Sequence, residues 1–150
     1  MDQILQTPFG RLEGTQTDGV LRFLGVPFAQ KPLGELRFRA PRLVEPWEGV
    51  RPAKGFARDP MQDNQFLGPE HYSEDCLYLN VYTPARTGEE KLPVLMYIHG
   101  GGFKGGYPYE IEFDWEHMAE KGIVVVSIAY RLGVLGFLAH PWLSKEAPED

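Results

Sequence analysis

Pro93-Val94-Leu95-Met96-Tyr97-Ile98-His99-Gly100-Gly101-Gly102-Phe103 is the stretch that decides how this chain folds. From Pro93 to Ile98 it is almost continuously apolar, the composition expected of a strand covered on both faces. Three consecutive glycines then follow His99. Glycine takes positive φ at no steric cost, and without a Cβ it lets another group approach the backbone closely. A glycine run closing a strand therefore offers N–H groups to an anion, or to negative charge developing on an oxygen. A P-loop needs its Lys after the last glycine and a Ser or Thr next, and Lys104 stands before Gly105-Gly106 instead. A turn whose glycines serve only the backbone stays open at this point.

Downstream, Asp114-Trp115-Glu116-His117-Met118-Ala119-Glu120-Lys121-Gly122 reads as a short helix, with Asp114 as N-cap and Gly122 just past its end. Ile123-Val124-Val125-Val126-Ser127-Ile128-Ala129 is a β-branched apolar run and reads as a second buried strand. Strand, helix and strand form a βαβ unit, which closes into a parallel sheet. The glycine loop then lies at the carboxyl edge of that sheet, where open α/β sheets bind their ligands. Upstream, the runs from Phe9 to Gly14 and from Val20 to Pro27 flank Thr17-Asp18-Gly19, and Asp-Gly is a hairpin signal. From Ala29 to Ser73 the chain is rich in Pro, Gly and Arg with no sustained period. Loops of that length are functional or wrap a larger body. Leu77-Tyr78-Leu79-Asn80-Val81-Tyr82 resumes strand pattern, with Leu77, Leu79 and Val81 expected on the sheltered face. Thr83-Pro84 ends it, and Thr87 to Lys91 makes a polar turn toward Pro93.

The chain has 150 residues, 43% hydrophobic and 24% charged, enough apolar material for a core and a length suited to one domain. A net charge of −6 argues against nucleic acid or an anionic membrane as partner. Acids and bases are scattered, as on a solvated surface. No apolar run approaches the ~20 residues of a membrane span. Met1 to Thr7 carries an acid and no apolar core, unlike a secretory leader. Cys76 is the single cysteine, which fits a reducing compartment, and the expected location is cytoplasmic. Next to Glu74 and Asp75 its thiolate is disfavoured, so Cys76 is read as structural rather than nucleophilic.

No serine is placed for catalysis. Ser73, Ser127 and Ser144 are the only three, and none sits in a Gly-x-Ser-x-Gly elbow. His71, His99, His117 and His140 show no metal spacing among themselves or with Cys76, so neither metal nor cofactor is predicted. His99, directly before the glycines, is expected to hold the loop by hydrogen bonding.

Six segments in order then carry a resemblance. They are Phe23-Leu24-Gly25-Val26-Pro27-Phe28-Ala29, Leu36-Arg37-Phe38, Pro46-Trp47-Glu48-Gly49-Val50, Ser73 through Val81, Ile98 through Phe103, and Tyr130-Arg131-Leu132-Gly133-Val134-Leu135-Gly136-Phe137-Leu138. From about residue 10 to about residue 147 the chain resembles the N-terminal portion of a type-B carboxylesterase, the family that includes the cholinesterases and neuroligin-like proteins. The resemblance implies an α/β fold of the α/β-hydrolase kind, N-terminal part only. A small antiparallel sheet comes first, followed by the first strands of the central, mostly parallel sheet. In the family the serine elbow and the acidic and histidine members of the triad come later, so the 150 residues are expected to be a fragment of one catalytic domain, a truncated product, or one chain of a split enzyme.

The same resemblance implies that Gly101 and Gly102 donate N–H groups to the oxyanion, with a third donor from the later segment. Gly100 and Phe103 border the bound ester. His99, Glu74, Arg37 and Arg131 take structural roles: Arg37 pairs with Glu74, and Arg131 with an acid beyond Asp150. Pro60 stands where extracellular relatives carry the cysteine that pairs with the one matching Cys76, so that disulfide is not formed. A choline ester is not supported, since no secure gorge aromatic stands near the loop outside Phe103. Two functions remain open: hydrolysis of a small-molecule ester by a serine nucleophile, and a non-catalytic binding or adhesion role on the same fold.

Overall fold

A computed structural model of the chain describes residues 2–62 and 68–146. Residue 147, where the resemblance ends, lies outside them. The element order begins with three antiparallel strands, β1 (Asp2–Thr7), β2 (Gly10–Thr17) and β3 (Val20–Pro27). The β2–β3 connection is the predicted Asp18-Gly19 turn. Asp18 at φ 47° and Gly19 at φ 86° both have the positive φ of a type I′ hairpin, and Thr17 faces Val20 across it. Strand β1 extends this sheet by an edge that sequence reading left out.

Among its described residues, the long segment from Ala29 to Ser73 carries short pieces: 3-10 turns at Gly34–Leu36 and Pro69–His71, β4 (Val50–Pro52) alongside β2, and β5 (Asp59–Pro60) alongside β6 (Tyr72–Ser73). After it come β7 (Tyr78–Thr83), β8 (Val94–Ile98), α1 (Trp115–Glu120), β9 (Val124–Ile128), α2 (Gly133–Phe137) and α3 (Pro141–Glu146). The βαβ unit forms as read, with β8 and β9 parallel from Val94↔Val124 to Ile98↔Ile128. The Asp114 carboxylate accepts the His117 N–H at 2.9 Å and caps α1, while Gly122 at φ 91° follows its end. Antiparallel pairing of β3 with β7 and of β7 with β9 joins seven of the strands into one sheet, order β1-β2-β3-β7-β9-β8 with β4 on β2, while β5 and β6 form a separate pair. The α/β-hydrolase pattern is thus present in part.

Two strand faces differ from expectation. In β7 the most deeply buried side chains are Asn80 and Tyr82, whereas Leu79 and Val81 are half-buried on the opposite face. That face of β7 lies under α1, where Tyr82 packs with Trp115 and Ala119, and a bulge in β3 between Phe23 and Val26 takes Gly25 out of the ladder opposite Asn80. The Asn80 side chain accepts the Gly25 N–H at 3.0 Å and donates to Ser127 Oγ at 3.2 Å, so a carboxamide belongs inside.

Strand β8 is the second correction. Rather than covered on both faces, it is the end strand of the sheet, with Val94 64%, Met96 60% and Ile98 60% exposed. Helix α1 packs only on the other side, where Tyr97 joins Val20, Leu24, Tyr82, Trp115, Ala119 and Val125 in the largest apolar cluster. A second cluster of Leu12, Phe23 and Ala53 lies with half-buried Val26, Trp47 and Val81.

Candidate functional site

The glycine loop leaves β8 at its carboxyl end, as the topology requires, and folds back on itself. Gly101 at φ 104° and Gly102 at φ 59° are both in the glycine-favoured region, and Phe103 at φ 65° joins them there despite its side chain. A Cβ on Gly101 would overlap the Gly105 carbonyl oxygen, whereas one on Gly102 would meet open space. The Lys104 N–H donates to the Gly101 carbonyl at 3.1 Å and closes the turn. The Phe103 carbonyl accepts the Gly133 N–H at 2.7 Å, which ties the loop to the start of α2. Among the described residues the N–H groups of Gly101 and Gly102 meet no acceptor. Gly100, Gly102 and Gly105 also have the spacing of a dinucleotide fingerprint, but no helix opens behind them. The next one starts only at Trp115.

His99 is buried beneath this loop. Its ring stacks on Tyr130 at 4.3 Å, the Tyr130 hydroxyl donates to its carbonyl at 2.7 Å, and its Nδ1 lies 2.9 Å from the Gly100 carbonyl. The ring is therefore engaged by the loop rather than turned toward solvent. Phe103 is exposed and touches Phe137 at 4.5 Å between ring centroids, so an apolar wall borders the turn.

Away from the loop, Arg37 donates Nε and Nη2 to the two Glu74 oxygens at 2.6 and 2.7 Å, a bidentate ion pair that joins the long segment to the start of β7. Arg131 is half-buried and donates to the Arg39 carbonyl at 2.9 Å, and Arg39 in turn pairs with Glu146 at 2.5 Å. Arg37, Glu74 and Arg131 line one small cleft with Phe38, Met61 and Cys76. Burial pushes the Cys76 thiol up to about 12, with Asp75 and Glu74 adding to it and Arg131 opposing. Desolvation thus outweighs the neighbouring acids in disfavouring the thiolate.

The serines are all engaged structurally: Ser127 is buried against Asn80, Ser73 accepts the Asp75 N–H at 3.0 Å, and Ser144, exposed on α3, donates to the His140 carbonyl at 3.4 Å. Among the described residues no group of three His, Cys, Asp or Glu side chains is gathered to hold a metal ion.

Two residues in contact with the loop's return were not singled out from the sequence. Gln62 donates from Nε2 to the Gly106 carbonyl at 3.0 Å and accepts the Gly106 N–H on Oε1 at 2.9 Å. Asp59 is fully buried and accepts the Tyr109 hydroxyl at 2.8 Å. Desolvation raises the Asp59 carboxyl above its usual range against the opposing pull of Tyr109, His71 and His99. Neither residue stands in a recognisable motif, and both partners lie more than forty residues away.

Residues 1–149 match the model of the carboxylesterase family. The chain belongs to the carboxylesterase family. It is 44% identical over 148 residues to the fumonisin B1 esterase of Sphingopyxis macrogoltabida, covering 97% of this chain and 27% of that protein. It is 39% identical to the para-nitrobenzyl esterase of Bacillus subtilis, covering 91% of this chain and 29% of the relative. The solved carboxylesterase EST55 of Geobacillus stearothermophilus superposes with a TM-score of 0.81 at 42% identity, over 90% of this chain and 28% of that one. The chain therefore spans somewhat more than a quarter of the length of these family members.

Proposed function

We propose that this chain forms the N-terminal quarter of a serine carboxylesterase and supplies its oxyanion-stabilising loop. The observation that carries the reading is the pair of adjacent N–H groups on Gly101 and Gly102, unengaged among the described residues, at the carboxyl end of a parallel strand. Donors of this kind act where charge develops, and each is worth roughly 3–4 kcal/mol in the transition state. The nucleophile, its base and the orienting acid come from the part of the enzyme matching the remainder of the relatives. The substrate is a small-molecule ester, with Phe103 and Gly100 flanking the carbonyl and Phe137 extending the apolar wall.

The test has two stages. The reading frame beyond Asp150 should encode Gly-x-Ser-x-Gly, and the complete protein should hydrolyse p-nitrophenyl acetate. Gly102→Val in that protein should lower kcat about 10²-fold. A frame without a serine elbow, or a folded Gly102→Val enzyme with full turnover, overturns the reading.

A further inference from the structure

The loop's return strand is held from a distance. Gly105 and Gly106 lie directly against Gly101, Gly100 and His99 with no side chain between them. A Cβ on Gly101 would overlap the Gly105 carbonyl oxygen. On Gly106 it would collide with His99 Nδ1 and come within 2.8 Å of the Gly100 oxygen. Contact this tight transmits position, because neither limb can shift without moving the other. Gly106 is itself gripped on both backbone groups by one carboxamide, that of Gln62, at 2.9 and 3.0 Å. The same Nε2 also reaches the Pro60 carbonyl at 3.2 Å, which anchors Gln62 to β5. One residue before Pro60, buried Asp59 accepts the Tyr109 hydroxyl, and Tyr109 lies three residues beyond Gly106. The β5 segment thus ties down the return at two points.

We propose that Gln62 is a positioning residue for the glycine loop: its two bonds to Gly106 hold the return limb against His99 and Gly100 and so set the direction of the Gly101 and Gly102 N–H groups. Only a primary amide matches the paired donor and acceptor that one peptide presents on this edge. Preorganised donors lose most of their effect when displaced by about an ångström, at a cost near 10²-fold in rate. The proposal rests on the esterase reading.

The experiment uses the complete esterase with two substitutions. Gln62→Met keeps the length of the side chain and makes neither bond, and Gln62→Glu keeps the acceptor while losing the donor. Turnover is expressed per active site titrated with a phosphonate, and affinity is measured for a trifluoromethyl ketone, which forms the tetrahedral adduct. Gln62→Met is expected to lower kcat about 10- to 100-fold with KM little changed, and to weaken the ketone by the same factor. Gln62→Glu should fall between Met and parent, and it decides the matter if the Met variant fails to fold. A residue that merely stabilises the fold would lower Tm and the titratable fraction, yet leave kcat per site and ketone affinity at parental values. That result overturns the proposal. If the parent hydrolyses no ester, the esterase reading falls separately, and hydrogen exchange at the Gly106 amide then decides. Faster exchange in Gln62→Met supports the brace, and unchanged exchange refutes it.

Discussion

Gly101 and Gly102 are neighbours in one loop, yet the fold demands glycine of them for different reasons. Gly101 faces the Gly105 carbonyl, so any side chain there forces the two limbs apart, whereas Gly102 has free space and only its φ of 59° to satisfy. Gly102→Ala is accordingly expected to keep the fold at a cost of about 1–2 kcal/mol of backbone strain. Gly101→Ala should lower Tm further and disorder the loop. Thermal melts of the two variants side by side check this, and equal losses would refute the packing argument. Asp59 allows a second prediction. Its carboxyl is raised by burial, so the folded state holds the proton more tightly than the unfolded state does. The stability associated with that proton is complete below the ordinary carboxylate range and is lost as pH rises through the raised value. Asp59→Asn retains an acceptor for Tyr109 and carries no charge. It should therefore raise Tm at neutral pH, change it little at pH ~3, and flatten the dependence between. Melts across pH measure the difference, and a lower Tm for Asp59→Asn at neutral pH would show that the carboxylate is better tolerated than its burial implies.

Among the elements, α1 is a six-residue helix whose start depends on one side chain. The Asp114 carboxylate takes the His117 N–H, and its negative charge also sits at the positive end of the helix. Helices this short are not stable by propensity, so α1 persists because Trp115 and Ala119 are buried against the sheet. Asp114→Ala should cost about 1 kcal/mol in chemical denaturation and Asp114→Asn much less. A null effect would mean that packing alone orients the helix. Strand β3 shows the converse dependence on distant chemistry. Its bulge at Gly25 is tolerable because Asn80, 55 residues away, supplies the acceptor that the ladder does not.

For the whole molecule, the decisive feature is that β8 ends the sheet with Val94, Met96 and Ile98 uncovered. An apolar edge strand of this kind associates with other chains unless it is paired or covered. In a complete esterase the rest of the catalytic domain would lie over that face, so Met96→Lys has opposite effects in two contexts. In the 150-residue chain the lysine stays solvated and should increase the soluble fraction. In the complete enzyme it buries an unpaired charge and should cost several kcal/mol or prevent folding. Soluble yield and Tm measured in both proteins decide the point, and a complete enzyme that accepts Met96→Lys without loss would mean that this face stays in water. The 150 residues by themselves should hydrolyse no p-nitrophenyl acetate beyond a heat-killed control, for they hold no serine elbow.

What the sequence determined by itself was everything that depends on neighbouring residues or on a repeated local pattern. The Asp18-Gly19 turn follows from two adjacent residues that accept positive φ, α1 from a cap and a terminal glycine, and the βαβ unit from apolar runs separated by a helical one. The glycine loop was legible for the same reason, since consecutive glycines announce a backbone that side chains must not cover. The tertiary structure alone decided which faces are buried and what holds the loop. Alternation in β7 marks Leu79 and Val81 as apolar, but α1 covers the opposite face, and the bulge in β3 gives Asn80 its partner there. The composition of β8 suits a covered strand, while no described element packs on the face that carries Val94, Met96 and Ile98. Gln62 and Asp59 carry no local signature because their partners, Gly106 and Tyr109, are 44 and 50 residues distant. A periodic pattern reports which side chains avoid water, and only the assembled chain specifies what stands opposite them.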